Sequence, residues 1–287
     1  VAAPQLLPNL SIVAEDYDAI LCDVWGVLHN GRSAFRPACE AIARFRTQRG
    51  PVVLITNAPV PKTRVTAVFP RVGVPMDCFD EVVTSGDATT HELAAYAPGP
   101  VYRIGLGEDM SVYQGLKLDF TDDPAKARIV SCTSLREYPD GRPETYRDEL
   151  KRLADHGLQM ICANPDVQFR HGDQLIWSAG ALARIYEEFG GTVIRPGKPD
   201  APIYRFALER VAELAGRQIP ASRILAIGDG PATDVKGANT QGVDALFIGG
   251  GIHGHAMAEG EGFLATAADV LAEEGVTARY AAPELVW

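Results

Sequence analysis

Ala19–Asp23 and Val52–Thr56 are short apolar runs, each ending in polar residues, and the stretch between them has helical spacing. Pro37–Arg49 places Ala38, Ile42, Ala43 and Phe45 as inward positions, with Pro37 suited to a first turn and Gly50 to a C-terminal stop. Strand, helix and strand in that order make a βαβ unit, which requires parallel strands and a right-handed crossover. The fold class is therefore α/β. The same alternation returns later in the chain. Ala201–Ala215 reads as a helix, Arg223–Ile227 as a buried strand, Ala232–Thr240 as a helix, Asp244–Ile248 as a strand and Ala267–Glu274 as a closing helix.

Between these blocks lies a segment with its own elements. Val101–Ile104, Ala127–Ser131 and Leu158–Ala163 read as strands, and Thr145–His156 and Ala179–Phe189 as helices. Pro98-Gly99-Pro100 and Gly190-Gly191 serve as joints near its ends. The expected organisation is an open α/β core over 1–84 and 190–287, with an α/β insertion over 85–189. The 287 residues allow one large or two moderate domains, and 46% hydrophobic residues suffice for a sizeable core.

A net charge of -10 argues against nucleic-acid or anionic-membrane binding. No apolar run reaches the roughly 20 residues of a membrane span. Val1 to Asn9 lacks the basic start and apolar stretch of a signal peptide. The five cysteines, Cys22, Cys39, Cys78, Cys132 and Cys162, are odd in number and scattered, with no CxxC pair. Buried reduced thiols in a cytoplasmic protein are the expectation.

In open parallel sheets, ligands bind beyond the carboxyl ends of the strands. Asp23 follows the first strand, Thr56-Asn57 the second, and Gly228-Asp229-Gly230-Pro231-Ala232-Thr233-Asp234 the strand Arg223–Ile227. Gly197-Lys198-Pro199 precedes a helix beginning near Asp200. Each alone has a plain alternative: a turn residue or cap for Asp23, a strand exit for Thr56-Asn57, a solvated lysine for Lys198. Taken together, Asp23, Asp229 and Asp234 put three carboxylates in one mouth, which is costly unless a cation neutralises them. An all-oxygen site of this kind suits Mg²⁺. Thr56 and Lys198 would then hold a phosphoryl group, and Asp23 would be the nucleophile of an aspartyl-phosphate mechanism.

In this order and spacing the chain resembles the haloacid dehalogenase (HAD) superfamily, and within it the subclass IIA phosphatases, which carry a large α/β cap between the second and third motifs. The motifs correspond to Asp23-Val24-Trp25-Gly26-Val27, to Thr56-Asn57, to Lys198, and to Asp229 with Asp234. Thr84-Ser85-Gly86, Asn164-Pro165-Asp166 and Gly197-Lys198-Pro199 match further subclass features. The resemblance implies a Rossmann-like core and a Mg²⁺-dependent hydrolase acting on a small phosphorylated metabolite. It implies Asp23 and Lys198 as catalytic groups, and Asp23, the main-chain carbonyl of Trp25, Asp229 and Asp234 as metal ligands. Thr56, Asn57, Asn164 and Asp166 would bind substrate, with Asn164-Pro165-Asp166 on the cap face near it, or else forming a plain turn. Such relatives include cap-to-cap homodimers. Within the cap, the family often has Gly-Leu-Asp where this chain has Cys132-Thr133-Ser134.

The main departure is Trp25, which stands where the phosphatases have the acid that protonates the leaving group and activates water. General acid–base help is worth about 10²–10⁴ in rate. Three readings follow: a hydrolase for substrates with good leaving groups or with a substitute donor; a slow or inactive phosphate-binding sensor or scaffold; and a 2-haloacid dehalogenase, against which retention of both Asp229 and Asp234 argues. His29 is near in sequence and titrates in the right range for a substitute donor, or is structural. The Trp25 ring is either a hydrophobic wall or a platform that stacks on substrate.

Overall fold

The computed structural model describes residues 3–107, 109–171, 174–250 and 262–287. Along the chain the first elements are β1 (Gln5–Leu6), β2 (Ala19–Cys22), α1 (Arg36–Gln48), β3 (Val52–Thr56), α2 (Lys62–Val72), β4 (Glu81–Thr84) and α3 (Ser85–Ala94). There follow β5 (Val101–Ile104), β6 (Ile129–Cys132), α4 (Arg147–Asp155), β7 (Gln159–Cys162), β8 (Gln168–His171), β9 (Gln174–Trp177), α5 (Ala179–Glu188) and β10 (Thr192–Ile194). The last are α6 (Ala201–Ala215), β11 (Ile224–Gly228), α7 (Lys236–Gln241), β12 (Asp244–Ile248), α8 (Phe263–Glu273) and β13 (Tyr280–Ala282).

The chain divides into two compact units. The first comprises Val1–Thr56, Thr66–Val83 and Tyr204–Trp287. Its sheet runs β1-β13-β12-β11-β2-β3-β4. The pairings β1–β13, β13–β12, β12–β11, β11–β2 and β2–β3 are all parallel. Every residue of β2, β3 and β11 is buried, which is why these strands read as unbroken apolar runs rather than as alternating ones. From β2 the chain steps outward through β3 and β4, and from β11 it steps the other way through β12 and β13. The junction of β2 with β11 is therefore the topological switch point, where an open α/β sheet parts to admit a ligand.

α1 buries Ala38, Cys39, Ala41, Ile42 and Phe45; Ala41 rather than the expected Ala43 completes the inward stripe. The helix expected from Ala232 begins instead as a π-helical turn, Pro231–Val235, before α7. There the Gly230 carbonyl accepts from the N–H groups of Asp234 (2.8 Å) and Val235 (3.1 Å). α8 starts at Phe263, ahead of the expected Ala267, because Phe263 is itself part of the buried face.

The second unit comprises Asn57–Val65 and Thr84–Ile203. It encloses 85–189 and takes in further residues on both sides. Its parallel sheet runs β10-β7-β6-β5, with a separate antiparallel ribbon β8-β9. Alternation along the strands divides two cores. Tyr102, Ile104, Val130, Cys132, Met160 and Cys162 face Leu150 and Leu153 of α4 and Leu182 and Tyr186 of α5. Val101, Ile129 and Ile161 face Leu93 of α3 together with Val112 and Tyr113. The unit is thus a helix–sheet–helix sandwich. All five cysteines are buried and none is in a disulfide. No helix among the described residues is long and apolar enough to cross a membrane.

Candidate active site

The register of β2 against β11 pairs Cys22 with Ile227, so Asp23 leaves its strand level with Gly228. The Asp23 N–H donates to the Ile227 carbonyl at 2.8 Å, extending the ladder one step and fixing the Asp23 backbone. Asp229 follows on the neighbouring strand end, and the π-helical turn brings Asp234 back over Gly228. Carboxylate oxygens of Asp23, Asp229 and Asp234 lie within 4.8 Å of one another, and all three residues are buried. Two glycines make this convergence possible. Gly26 has φ +81°, and a Cβ there would overlap the Asp229 carboxylate; a Cβ on Gly228 would overlap Asp234. The Asp234 carboxylate is steadied by the Gly230 N–H at 3.1 Å. Nothing in the sequence marks Tyr204, whose hydroxyl donates to the Asp234 main-chain oxygen at 3.2 Å.

Three carboxylates this close repel one another by about 3 kcal/mol per pair at an effective dielectric of about 20. A hard divalent cation with oxygen ligands is the neutralising partner whose chemistry matches this donor set. The residues present therefore fit a divalent metal site.

Trp25 and His29 sit on one tight turn. The Gly26 N–H donates to the His29 carbonyl at 3.0 Å, and the Leu28 N–H to the Val24 carbonyl at 2.9 Å. The Trp25 and His29 rings meet edge to face at 4.9 Å, and His29 in turn packs edge on to Phe69 at 6.2 Å. His29 is 2% exposed, and burial pushes its pKa down to about 4. Its Nδ1 accepts from the Gly31 N–H at 3.0 Å. The ring is thus neutral near pH 7 with its proton on Nε2, and imidazolium is too scarce to act as an acid. The structural reading of His29 holds: it props the Trp25 turn, and the ring of Trp25 has a packing partner on that side.

Within the second unit, Asn57, Asp166 and Lys198 come together. The Asn57 Oδ1 accepts from the Lys198 N–H at 2.7 Å, and its Nδ2 donates to the Lys198 carbonyl at 3.1 Å and to Asp166 Oδ1 at 3.0 Å. The Asp166 N–H donates to Asn164 Oδ1 at 3.1 Å, so Asn164 braces the turn that carries Asp166. Thr56 ends β3 and is buried. Cys132-Thr133-Ser134 is a fastening between strands: the Thr133 N–H bonds the Ile104 carbonyl at 2.9 Å, and Ser134 Oγ accepts from the Leu106 N–H at 3.2 Å.

Residues 20–119 match the family model described as haloacid dehalogenase-like hydrolase, and residues 195–273 match a second, HAD-hydrolase-like model. A crystal structure of a haloacid dehalogenase-like hydrolase from Brucella suis 1330 is 41% identical, with 98% of this chain and 100% of that chain covered at a TM-score of 0.87. The chain belongs to the haloacid dehalogenase-like hydrolase family. Ribonucleotide monophosphatase NagD of Escherichia coli K12 is 27% identical over 241 residues, spanning 81% of this chain and 88% of that protein. The acid sugar phosphatase of Staphylococcus saprophyticus is 25% identical over 246 residues, spanning 83% and 88%. The seven-stranded, mostly parallel sheet is the Rossmann-like core of this HAD-type, phosphatase-like hydrolase, and its acids stand at the sheet's switch point.

Proposed function

We propose that this HAD-family chain is a Mg²⁺-dependent phosphate monoester hydrolase working through an aspartyl phosphate on Asp23. The observation that carries the reading is the trio of buried carboxylates at the end of β2 and β11. Asp23 supplies the attacking oxygen: an Oδ–P bond forms, the ester P–O bond breaks, and the leaving oxygen takes up a proton. Water then opens the acyl phosphate, releasing inorganic phosphate and restoring the Asp23 carboxylate. Thr56 and Lys198 grip phosphate oxygens. Asp23, Asp229, Asp234 and the Trp25 carbonyl would hold the ion, which when bound offsets the charge of the phosphoryl group. The second unit acts as the cap that carries specificity, in a cytoplasmic protein whose buried thiols, none in a disulfide, suit a reducing compartment.

The substrate class is a small phosphorylated metabolite. Two relatives, a ribonucleotide monophosphatase and an acid sugar phosphatase, support that class. Trp25 has no titratable proton to give, and His29 is neutral and tied to Gly31. Esters with good leaving groups are therefore favoured over sugar alkoxides. The same observation supports a second reading, a phosphate-binding sensor or scaffold that keeps metal affinity without fast turnover.

A panel of phosphate monoesters and acyl phosphates, assayed with Mg²⁺ and again in EDTA, separates the two. Metal-dependent release of phosphate, fastest from nitrophenyl and acyl phosphates, is the expected result. No turnover on any substrate, despite measurable binding of a phosphate analogue, overturns the hydrolase and leaves the sensor.

A further inference from the structure

We propose that Asn57 and Asp166 are positioning residues for Lys198: the Asn57 carboxamide clamps the Lys198 main chain, and Asp166 orients that carboxamide. The inference rests on the reading of Lys198 as a phosphate-gripping group.

A carboxamide has one oxygen acceptor and two N–H donors, and here each end has a defined task. Oδ1 takes the Lys198 N–H at 2.7 Å, while Nδ2 gives one hydrogen to the Lys198 carbonyl at 3.1 Å and the other to Asp166 Oδ1 at 3.0 Å. Holding a residue by both its N–H and its C=O fixes the position and the tilt of its backbone together. The direction in which the Lys198 side chain leaves the main chain is fixed with them. The carboxamide cannot flip, because reversal would set its oxygen against the Lys198 carbonyl and the Asp166 carboxylate at once.

Asp166 is itself held from two sides. Its N–H bonds Asn164 Oδ1 at 3.1 Å, and its carbonyl accepts from the Gly180 N–H at 3.2 Å at the start of α5. Gly197, just before Lys198, shows how tightly these segments close. A Cβ there would stand 2.6 Å from Asn57 Oδ1, 2.6 Å from Ser85 Oγ and 2.9 Å from Pro165 Cδ. Four chain segments thus meet around 197–198 with room only for hydrogen. Lys198 is 2% exposed and Asn57 5% exposed, so the clamp works away from competing water. A buried cation gains from such a fixed direction, since displacement by about 1 Å can cost about 10²-fold in rate.

The test reads binding of inorganic phosphate in Mg²⁺ by calorimetry, together with kcat and KM on nitrophenyl phosphate and the melting temperature. The set is Asn57→Ala, Asp166→Ala, Asp166→Asn, Lys198→Ala and the double variant Asn57→Ala/Lys198→Ala. Asn57→Ala should weaken phosphate binding and lower kcat/KM by about 10²-fold. It should add nothing further in the Lys198→Ala background, the non-additivity expected of residues that act through one group. Asp166→Ala should give a smaller loss of the same kind, and Asp166→Asn, which keeps an oxygen acceptor, should recover most of it. Additive losses from Asn57→Ala and Lys198→Ala overturn the proposal. So does a rise in KM for one substrate from Asp166→Ala with phosphate affinity unchanged, which would make Asp166 a substrate contact. If Asn57→Ala melts below the assay temperature, the Asp166 pair decides alone. Unchanged phosphate affinity in Lys198→Ala overturns the reading of Lys198 itself, a result no Asn57 or Asp166 variant can imitate.

Discussion

Replacing Asp229 by asparagine should make the metal-free protein more stable and the metal-loaded protein less so. Its carboxylate shares a cluster with those of Asp23 and Asp234, with oxygens of all three within 4.8 Å. Asparagine keeps the shape and removes two of the three like-charge pairs. At an effective dielectric of about 20, each pair at that spacing costs about 3 kcal/mol, so the relief at fixed charge is about 6 kcal/mol. Proton uptake sets a lower ceiling, because neutralising one carboxyl of ordinary pKa at pH 7 costs only about 4 kcal/mol. The gain in EDTA is therefore about 1–4 kcal/mol, worth about 2–4 °C in Tm for each kcal/mol. Mg²⁺ should reverse the order. A ligand at 100 times its Kd stabilises the wild type by about 2.7 kcal/mol, and a variant lacking one ligand gains less at the same concentration. Thermal melts of both proteins in EDTA and across a Mg²⁺ series test this without reference to turnover. A variant that melts below the wild type in EDTA, and that responds equally to Mg²⁺, would refute the argument that these acids form a cation site.

Trp25→Asp places a titratable group at the position that the resemblance to HAD phosphatases assigns to the general acid. Turnover of sugar phosphates should rise towards the roughly 10²–10⁴-fold worth of general acid–base help, while nitrophenyl phosphate gains much less; equal effects on both would show that another group already supplies the proton. In the second unit, burial alone would raise the Glu149 pKa, but hydrogen bonds from Arg136 (2.7 and 2.8 Å) and Tyr102 (2.7 Å) outweigh it and hold the carboxyl below its usual range. A depressed folded-state pKa gives stability that is present above the unfolded value of about 4.3 and is lost as pH falls through the folded value. Glu149→Gln should therefore lower Tm at pH 7 and close the gap to the wild type below about pH 4, whereas parallel Tm–pH curves would remove Glu149 from the acid response.

The elements most legible in the sequence are those whose burial is uniform. Val52–Thr56 and Asp244–Ile248 stand in the structure with the limits their apolar runs predict, because each strand of a parallel sheet covered on both faces must be apolar along nearly its whole length. Ala201–Ala215 is equally plain from its helical spacing. Short elements whose existence depends on a distant partner left no such mark. β1 and β13, at Gln5–Leu6 and Tyr280–Ala282, pair across almost the full length of the chain, and two or three residues carry no periodicity to detect. The strand expected over Ala127–Ser131 lies at Ile129–Cys132, since its register opposite Val101 sets where pairing begins.

The acids show the same division. That Asp23 and Asp229 end apolar strands is written locally, in an apolar run followed by an aspartate, with Gly26 three residues after the first and Gly230 next to the second. Their convergence with Asp234 depends on β2 lying beside β11 in one register and on glycines at 26 and 228 leaving space for carboxylates. His29 is the opposite case: its sequence position allows a proton donor, and its charge state follows from burial and from the Gly31 N–H, neither of which is visible in the residue itself.

The sequence by itself determined the α/β class, the apolar strands that carry the acids and the chemical types at their ends, because burial pattern and turn chemistry act over a few residues. Only the tertiary structure decided that Asn57 holds Lys198, 141 positions away, and that the oxygens of the three acids expected in one mouth close to within 4.8 Å of one another. Such contacts are set by sheet register and close backbone packing, which depend on the whole chain at once and leave no period in any short stretch of it.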